Sequence, residues 1–299
     1  MTDMQHRQIF TNSLLVLCLI TAAICTSAAA EDDDRLHPEP TLPGVGIAHK
    51  GTSLEKLQEA IRLKPKSAQA YLERGDAYLS DTETEKALAD FNKAIELDPR
   101  CGKAYIGKYF ALVDDRRRDE ALAALKKAME IGPADLAMDA LYLQGSLHKD
   151  LGMYPQAMAE LTKVIKANLF SRRRLAKVYL QRGMVNDRIQ AKPAAIADYT
   201  NAIKLNPDFG KAYLFRANDY SDIREFKKAD DDYKVVERNV IDVPTAKRKS
   251  DFDIVKADLF HFRAEYFKRI NRPDLARISN KERLREERQD VDISPFQSR

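Results

Sequence analysis

Few residues of this chain have the types and spacings that chemistry requires. Four histidines follow the first thirty residues, and none has the spacing of a metal site or of a catalytic base. His261 and Glu265 lie four residues apart, which is more often a structural pair. The acids at 230–232 are consecutive on a predicted helix, so they cannot converge on one ion. With no glycine-rich phosphate loop and no serine elbow, the sequence favours a non-catalytic protein without a cofactor.

Two arginine runs, at residues 116–118 and 172–174, raise the question of nucleic-acid binding. We place both runs in solvated turns, and Asp114, Asp115 and Asp119 surround the first of them. The formal net charge of the chain is only +4. The sequence therefore predicts charged surface turns and no nucleic-acid partner.

A recurring pattern positions these residues. In residues 68–101 small or aromatic residues stand at fixed places before a closing Pro99, namely Tyr71, Gly75, Tyr78, Ala87, Phe91 and Ala94. One small residue recurs at the same place of the second predicted helix in every copy: Ala87, Ala121, Ala157, Ala195, Ala229 and Ala276. Alanine suits a close crossing of two helices, because a larger side chain would overpack the crossing at a cost of about 1–3 kcal/mol.

This pattern resembles the 34-residue tetratricopeptide repeat. The resemblance implies an all-α fold, a right-handed α-solenoid of antiparallel helix pairs, that serves as a binding scaffold. One helix pair buries too little apolar surface to be stable alone, so stacked copies are required. We assign a half-repeat to 53–66, full repeats to 68–101, 102–135, 138–171, 176–209 and 210–243, and a degenerate C-terminal helix pair to 251–290.

Three local features of the repeats lead to further expectations. Insertions in the third and fourth repeats are assigned to the joining loops, where added residues cost little. Tyr109 stands at the place of Gly75, so either the two helices of that repeat splay or Tyr109 turns outward. Thr82 and Glu85 have the spacing of a capping box at the start of a helix.

The first thirty residues have the pattern of a secretory signal peptide. His6 and Arg7 precede an uncharged, largely apolar run over residues 14–24, and alanines at 28–30 precede four acidic residues. The run is too short for the ~20 residues that span a bilayer, so an uncleaved membrane anchor is the weaker alternative. No membrane span is expected after cleavage. Cys25 raises a lipoprotein alternative, but Ile24 is not the small residue that such leaders carry there.

Residues 31–52 are rich in proline and glycine and predict a flexible linker. Export to a gram-negative periplasm is the preferred destination, with the extracellular medium as the alternative. After cleavage Cys101 would be the sole thiol, so no disulfide could form within the mature chain. Cys101 is interpreted as a small buried residue, with an interchain disulfide as the alternative.

In the tetratricopeptide family, the first helices of successive repeats line a groove that binds ligands. Carried onto this chain by register, the resemblance implies a groove of Leu72, Asp76, Lys103, Ile106, Phe110, Tyr142, Ser146, Lys177, Leu180, Met184, Lys211, Leu214 and Asn218. Tyr142, Leu180 and Met184 are placed in the ligand footprint, although the apolar members could instead pack against the adjacent repeat. A matching partner is a protein segment with apolar anchors and some acidic groups.

The preferred function is therefore an exported scaffold or adaptor that binds a protein or peptide. A second interpretation is a component of a cell-envelope complex that binds a small molecule or a glycan. A third is a structural protein that associates with itself through an exposed end helix.

Overall fold

The computed structural model describes residues 54–114, 117–240 and 256–292. Within these ranges every regular element is an α-helix. The helices are α1 (Leu54–Leu63), α2 (Ala68–Ser80), α3 (Thr84–Leu97), α4 (Gly102–Asp114), α5 (Arg118–Ile131), α6 (Ala134–Asp150), α7 (Tyr154–Ala167), α8 (Arg172–Arg188), α9 (Lys192–Leu205), α10 (Gly210–Asp222), α11 (Phe226–Val240), α12 (Lys256–Arg269) and α13 (Pro273–Asp292). The predicted leader and linker lie outside the described residues.

The helices form six consecutive pairs, α2/α3 to α12/α13, which we call units 1 to 6. Each pair packs together along its length, and the second helix of units 1 to 5 also packs on the first helix of the next unit. This is the all-α, tetratricopeptide-like superhelix that the sequence predicts. Helix α1 packs on α2 as a half-repeat, with Leu57 buried and Ile61 half-buried, whereas Ala60 is exposed.

Short turns with one repeated geometry join the two helices of a unit. The second residue of each described turn has a positive φ of 56–74°: Thr82, Gly152, Gln190, Arg224 and Asn271. The following amide donates to a carbonyl five residues back, as Glu83 N does to Tyr78 O at 2.8 Å. This pattern ends a helix in a Schellman motif. The predicted capping box is therefore wrong, because Thr82 belongs to the end of α2 and α3 has no side-chain cap.

The close helix crossings are confirmed. All six recurrent alanines are buried, with at most 3% of their surface exposed. A Cβ added to Gly75 would lie 2.7 Å from the ring of Phe91, and one added to Gly183 would lie 2.5 Å from the ring of Tyr199. These glycines let an aromatic side chain of the second helix reach the backbone of the first.

Tyr109 lies inside unit 2 and is only 6% exposed, so the outward alternative is wrong. The cluster around it also contains Leu125, which stands where Phe91 stands in unit 1. In unit 2, the larger side chain on the first helix, Tyr109, is therefore matched by a smaller one on the second helix, Leu125. Burial raises the pKa of Tyr109 to about 12.

The insertions lie in helices rather than in loops, which corrects the sequence-based assignment. Helices α6 and α8 have 17 residues, whereas α2, α4 and α10 have 13. The four added residues extend each helix at its start by about 6 Å. Asp139 on α6 and Arg174 on α8 form a buried ion pair near these starts. An extended helix satisfies its own backbone groups, which a longer loop would have to leave to solvent.

Candidate partner-binding surface

The first helices of the units form one face of the solenoid. Each first helix from α2 to α10 contacts the first helix of the next unit, while no two consecutive second helices make comparable contacts among the described residues. Because the first helices are closer to one another than the second helices, the face that they form is the inner, concave one. We call it the inner face.

The central row of the predicted groove is mostly part of the core, which corrects its assignment as a ligand surface. Its members are Leu72, Ile106, Tyr142, Leu180 and Leu214. All four aliphatic residues are buried, with at most 6% of their surface exposed, because neighbouring first helices close over them. Tyr142 alone remains half-buried, and its ring makes an edge contact with Phe170 at 6.4 Å.

The second row stays accessible. Asp76, Phe110, Ser146, Met184 and Asn218 share one register position, and all five are partly exposed. Asn218 already accepts a hydrogen bond from Arg269 Nη1 at 3.3 Å. The structure therefore leaves Phe110, Ser146 and Met184 as a narrow, mostly apolar strip along the middle of the inner face.

Lysines line one edge of the inner face. Lys103, Lys177 and Lys211 occupy one register position near the starts of α4, α8 and α10, and all three are exposed. Asp139, at the same register position in α6, is buried against Arg174 and adds no exposed charge. This edge of the inner face is basic, as the sequence predicts.

Asp76 gives the first unit a different character. Its Oδ1 atom is buried without a hydrogen-bond partner. Burial raises the pKa of the Asp76 carboxyl to about 7, with a further contribution from Glu73 that Lys103 opposes. A cation arriving at the inner face would stabilise the ionised form of this group.

Buried arginine–aspartate pairs, which the sequence analysis missed, fasten the helices within units 1, 4 and 5. Each joins an arginine on the first helix to an aspartate 16 residues later on the second: Arg74 to Asp90, Arg182 to Asp198 and Arg216 to Asp232. Each pair makes two parallel hydrogen bonds of 2.6–3.0 Å. The recurrence of an arginine just before the small first-helix residue is the signal that could have revealed them.

A cluster of charges joins units 4 and 5. Lys192 Nζ at the start of α9 donates to Asp187 on α8 and to Asp219 and Asp222 on α10, the Asp219 bond being 2.7 Å. The three carboxylates lie close enough to bind a metal ion, but the Lys192 ammonium lies among them. We call this set the ionic junction.

Asp219 is the buried member of the ionic junction. Only 1% of it is exposed, and its Oδ2 atom is buried without a hydrogen-bond partner. Burial raises the pKa of Asp219 to about 7, although Lys192 lowers it. The ionic junction therefore connects units 4 and 5, and the protonation of Asp219 depends on its burial and on the neighbouring charges.

The described residues include two histidines, His148 and His261. His148 Nδ1 lies 2.8 Å from Glu160 Oε2, and this pair occupies the register of the Asn186–Asp198 hydrogen bond in unit 4. It is thus a contact between the two helices of unit 3. His261 is exposed on α12.

The second arginine run is not in a turn, contrary to the sequence-based expectation. Residues 172–174 form the first turn of α8, and the Arg174 guanidinium lies 3.9 Å from the centre of the Phe170 ring. In the first run, Arg117 and Glu120 form an ion pair of 2.6 Å, and Arg116 lies outside the described residues.

Cys101 is half-buried, and burial raises the pKa of its thiol.

The repeat units match known sequences. The tetratricopeptide repeat family matches at residues 68–101 and, through a second family model, at 139–168. The chain is 36% identical over 95 residues to mouse DnaJ homolog subfamily C member 7 and 35% identical to the human protein. These matches cover 32% of this chain and 18% of the length of those relatives.

Solved structures with the same fold cover more of the chain. PilW, described as a widely conserved type IV pilus biogenesis factor, has a TM-score of 0.60 at 16% identity, covering 72% of this chain and 91% of PilW. PilF of Pseudomonas aeruginosa has a TM-score of 0.58 at 18% identity, covering 71% and 88% of the two chains. Residues 68–101 and 139–168 are tetratricopeptide repeats, and the described helices have the fold of that family. Members of this family are protein-interaction modules and typically non-catalytic.

Proposed function

We propose that this protein is an exported, non-catalytic scaffold that binds an extended or helical segment of a protein partner on its inner face. The accessible strip of Phe110, Ser146 and Met184 beside the exposed lysines is the observation that carries this proposal. It offers apolar contacts flanked by positive charge. A partner segment with apolar anchors and acidic groups matches both features.

Accessible apolar residues on the inner face set the geometry of binding. Phe110, Tyr142 and Met184 belong to consecutive first helices and are each partly exposed. Neighbouring helices pack about 8–10 Å apart, and an extended chain advances about 3.3 Å per residue. A segment of six to eight residues, estimated from these spacings, would therefore contact all three.

Export is part of the same proposal and rests on the leader-like residues 1–30. Fractionation of cells that produce the full chain, followed by N-terminal sequencing of the mature protein, tests it. We expect the mature protein in the envelope or secreted fraction and beginning near residue 31. An intact Met1 in the cytosolic fraction would contradict export. No described helix is long and apolar enough to cross a membrane.

A cross-linking pull-down from the envelope fraction tests the binding surface. Met184→Glu changes the strip on the inner face, and Met153→Glu makes the same change at an exposed turn residue that is 37% exposed. We expect Met184→Glu to lose a specific partner that the wild type and Met153→Glu both retain. Leu180→Glu is unsuitable because Leu180 is buried.

Equal capture by the two folded variants would rule out the inner face as the binding surface. Circular dichroism and thermal unfolding establish that each variant is folded. A second pair of variants tests the basic edge. Lys211→Glu reverses a charge on that edge, on α10, and Lys204→Glu makes the same change at an exposed residue of the second helix α9. Only the first substitution should weaken binding of the same partner.

A further inference from the structure

A cavity of about 450 Å³ opens between units 5 and 6, at the turn that joins α10 to α11. It is lined by Ser221, Asp222, Arg224, Phe226 and Arg269. None of these residues belongs to the accessible strip or the basic edge of the inner face. Two arginines therefore border a space that the partner-binding surface does not use.

The preceding junction shows what is unusual about this cavity. At the same register positions one unit later, Phe226 stands in place of Lys192, and Arg269 stands in place of Asp222. At the ionic junction a cation of the chain lies among carboxylates. At the cavity, unit 6 instead contributes the guanidinium of Arg269. The charge is reversed at this junction, and among the described residues Phe226, not an anion, stands at the place that Lys192 has at the other.

Hydrogen bonds hold the Arg269 guanidinium in place beside the cavity. Its Nη1 donates to Asn218 Oδ1 at 3.3 Å and to Ser221 Oγ at 3.2 Å, and its Nη2 pairs with Asp222 Oδ1 at 2.6 Å. Asp222 is shared with Lys192, so its single negative charge is divided between two cations. Arg269 is thus oriented but only partly neutralised.

Arg224 supplies the second positive charge. It is exposed and lines the cavity, and no carboxylate of the described residues forms an ion pair with it. Its backbone has a φ of 64°, a conformation that glycine adopts at the same place in unit 3. Arg224 can therefore be changed to glycine without loss of the turn.

We propose that this cavity binds a carboxylate that carries an adjacent apolar group, such as the C-terminal end of a peptide. The planar guanidinium forks of Arg224 and Arg269 match a carboxylate, and the Phe226 ring offers an apolar wall. Asp222 at the edge disfavours a doubly charged phosphate. The site is separate from the accessible strip and the basic edge of the inner face, and it does not depend on the function proposed above.

Titration calorimetry of the full chain with N-acetylphenylalanine tests this proposal, with N-acetylphenylalanine amide as the uncharged probe. We expect saturable binding of the acid, and binding of the amide at least about tenfold weaker because the charge-assisted hydrogen bonds are lost. Added salt should weaken binding of the acid. Inorganic phosphate should bind more weakly than the acid.

Two matched variants locate the site. Arg224→Gly should weaken binding of the acid at least about tenfold, whereas Gln190→Gly, the same kind of change at the equivalent turn of unit 4, should leave it unchanged. Met184→Glu should also leave it unchanged, which separates this site from the accessible strip of the inner face. Absence of saturable binding, equal binding of acid and amide, tighter binding of phosphate, or unchanged binding by Arg224→Gly would each overturn the proposal.

Discussion

The connections on the two sides of unit 5 occupy the same register positions and use opposite chemistry. On one side, Lys192 of unit 4 pairs with Asp187, Asp219 and Asp222. On the other, Phe226 of unit 5 packs near Tyr266 of unit 6, with ring centres 6.4 Å apart. We call this second connection the aromatic junction.

The aromatic junction continues into a larger apolar cluster. Tyr233 and Tyr266 have ring centres 5.3 Å apart, and Phe267 and Ala276 belong to the same cluster. At the junction between units 3 and 4, Tyr154 and Val185 likewise share an apolar cluster at the corresponding positions. The ionic junction is therefore a local departure from apolar packing between units.

The comparison shows that the stacking of units does not prescribe the chemistry of the contact. An apolar junction is stabilised in proportion to the surface that it buries, at roughly 25 cal/mol per Å². A buried ionic junction depends on every partner being present, because removal of one ion leaves the others without compensation. The two sides of unit 5 should therefore respond differently to substitution and to pH.

The largest expected effect comes from Lys192→Met, which removes the cation of the ionic junction. The Asp219 carboxylate would then be buried beside Asp187 and Asp222 without its main partner. We expect the free energy of unfolding to fall by about 3–5 kcal/mol, as for other buried pairs that lose one ion. Urea unfolding of the full chain at neutral pH measures this change.

Lys234→Met is the control, because Lys234 is 61% exposed and pairs with Asp230 at the surface. It should change stability by no more than about 0.5 kcal/mol. Similar losses in the two variants would show that the ionic junction is no more important than a surface ion pair.

The next effect concerns pH and, of the two junctions, should arise only at the ionic one. Because burial raises the pKa of Asp219 to about 7, above the ~3.9 of an unfolded aspartate, the folded state holds this proton more tightly. The contribution of Asp219 to stability therefore falls as pH rises from about 4 to 7, by at most about 1.4 kcal/mol per pH unit.

Asp219→Asn removes this titration, so the wild type and the variant should differ in the slope of stability against pH. Urea unfolding of both proteins across that window gives the two slopes. Parallel curves would mean that Asp219 stays ionised in the folded protein. Tyr266→Phe in the aromatic junction should leave the slope of the wild type unchanged.

The smallest expected effect is shared by the turns that precede the two junctions. Gln190 and Arg224 have positive φ, which is an unfavourable backbone conformation for residues other than glycine. Gln190→Gly and Arg224→Gly should each raise the free energy of unfolding by about 0.5 kcal/mol, since relief of strain exceeds the added entropy of the unfolded chain. Thermal unfolding would measure it, and a loss in either variant would contradict this account of the turns.

Much of the fold could be predicted from the sequence because the helix crossings repeat. A close approach of two helices needs small residues, such as Ala87, Ala195 and the glycines that face Phe91 and Tyr199. The spacing of these small residues therefore marks the units directly. The extended starts of α6 and α8 could not be predicted in this way. An insertion changes the spacing by the same amount whether it lies in a loop or in a helix.

The candidate site could be predicted only in part. Register placed Phe110 and Met184 on the inner face, where they are partly exposed, but it could not show that Leu72 and Leu180 are covered by neighbouring first helices. Two residues that share a face of a helix can differ in exposure when an adjacent helix covers only one of them. The Lys192–Asp219 contact likewise joins residues of two different units, and no spacing within one repeat relates them.

The sequence by itself determined the α-helical repeat, its units and its tight crossings, because these depend on contacts between residues within about one repeat length. The tertiary structure alone decided which inner-face residues remain accessible, which charges pair across units, and that one junction is ionic and the next aromatic. These properties depend on how successive units stack, and the stacking brings together side chains that no local spacing relates.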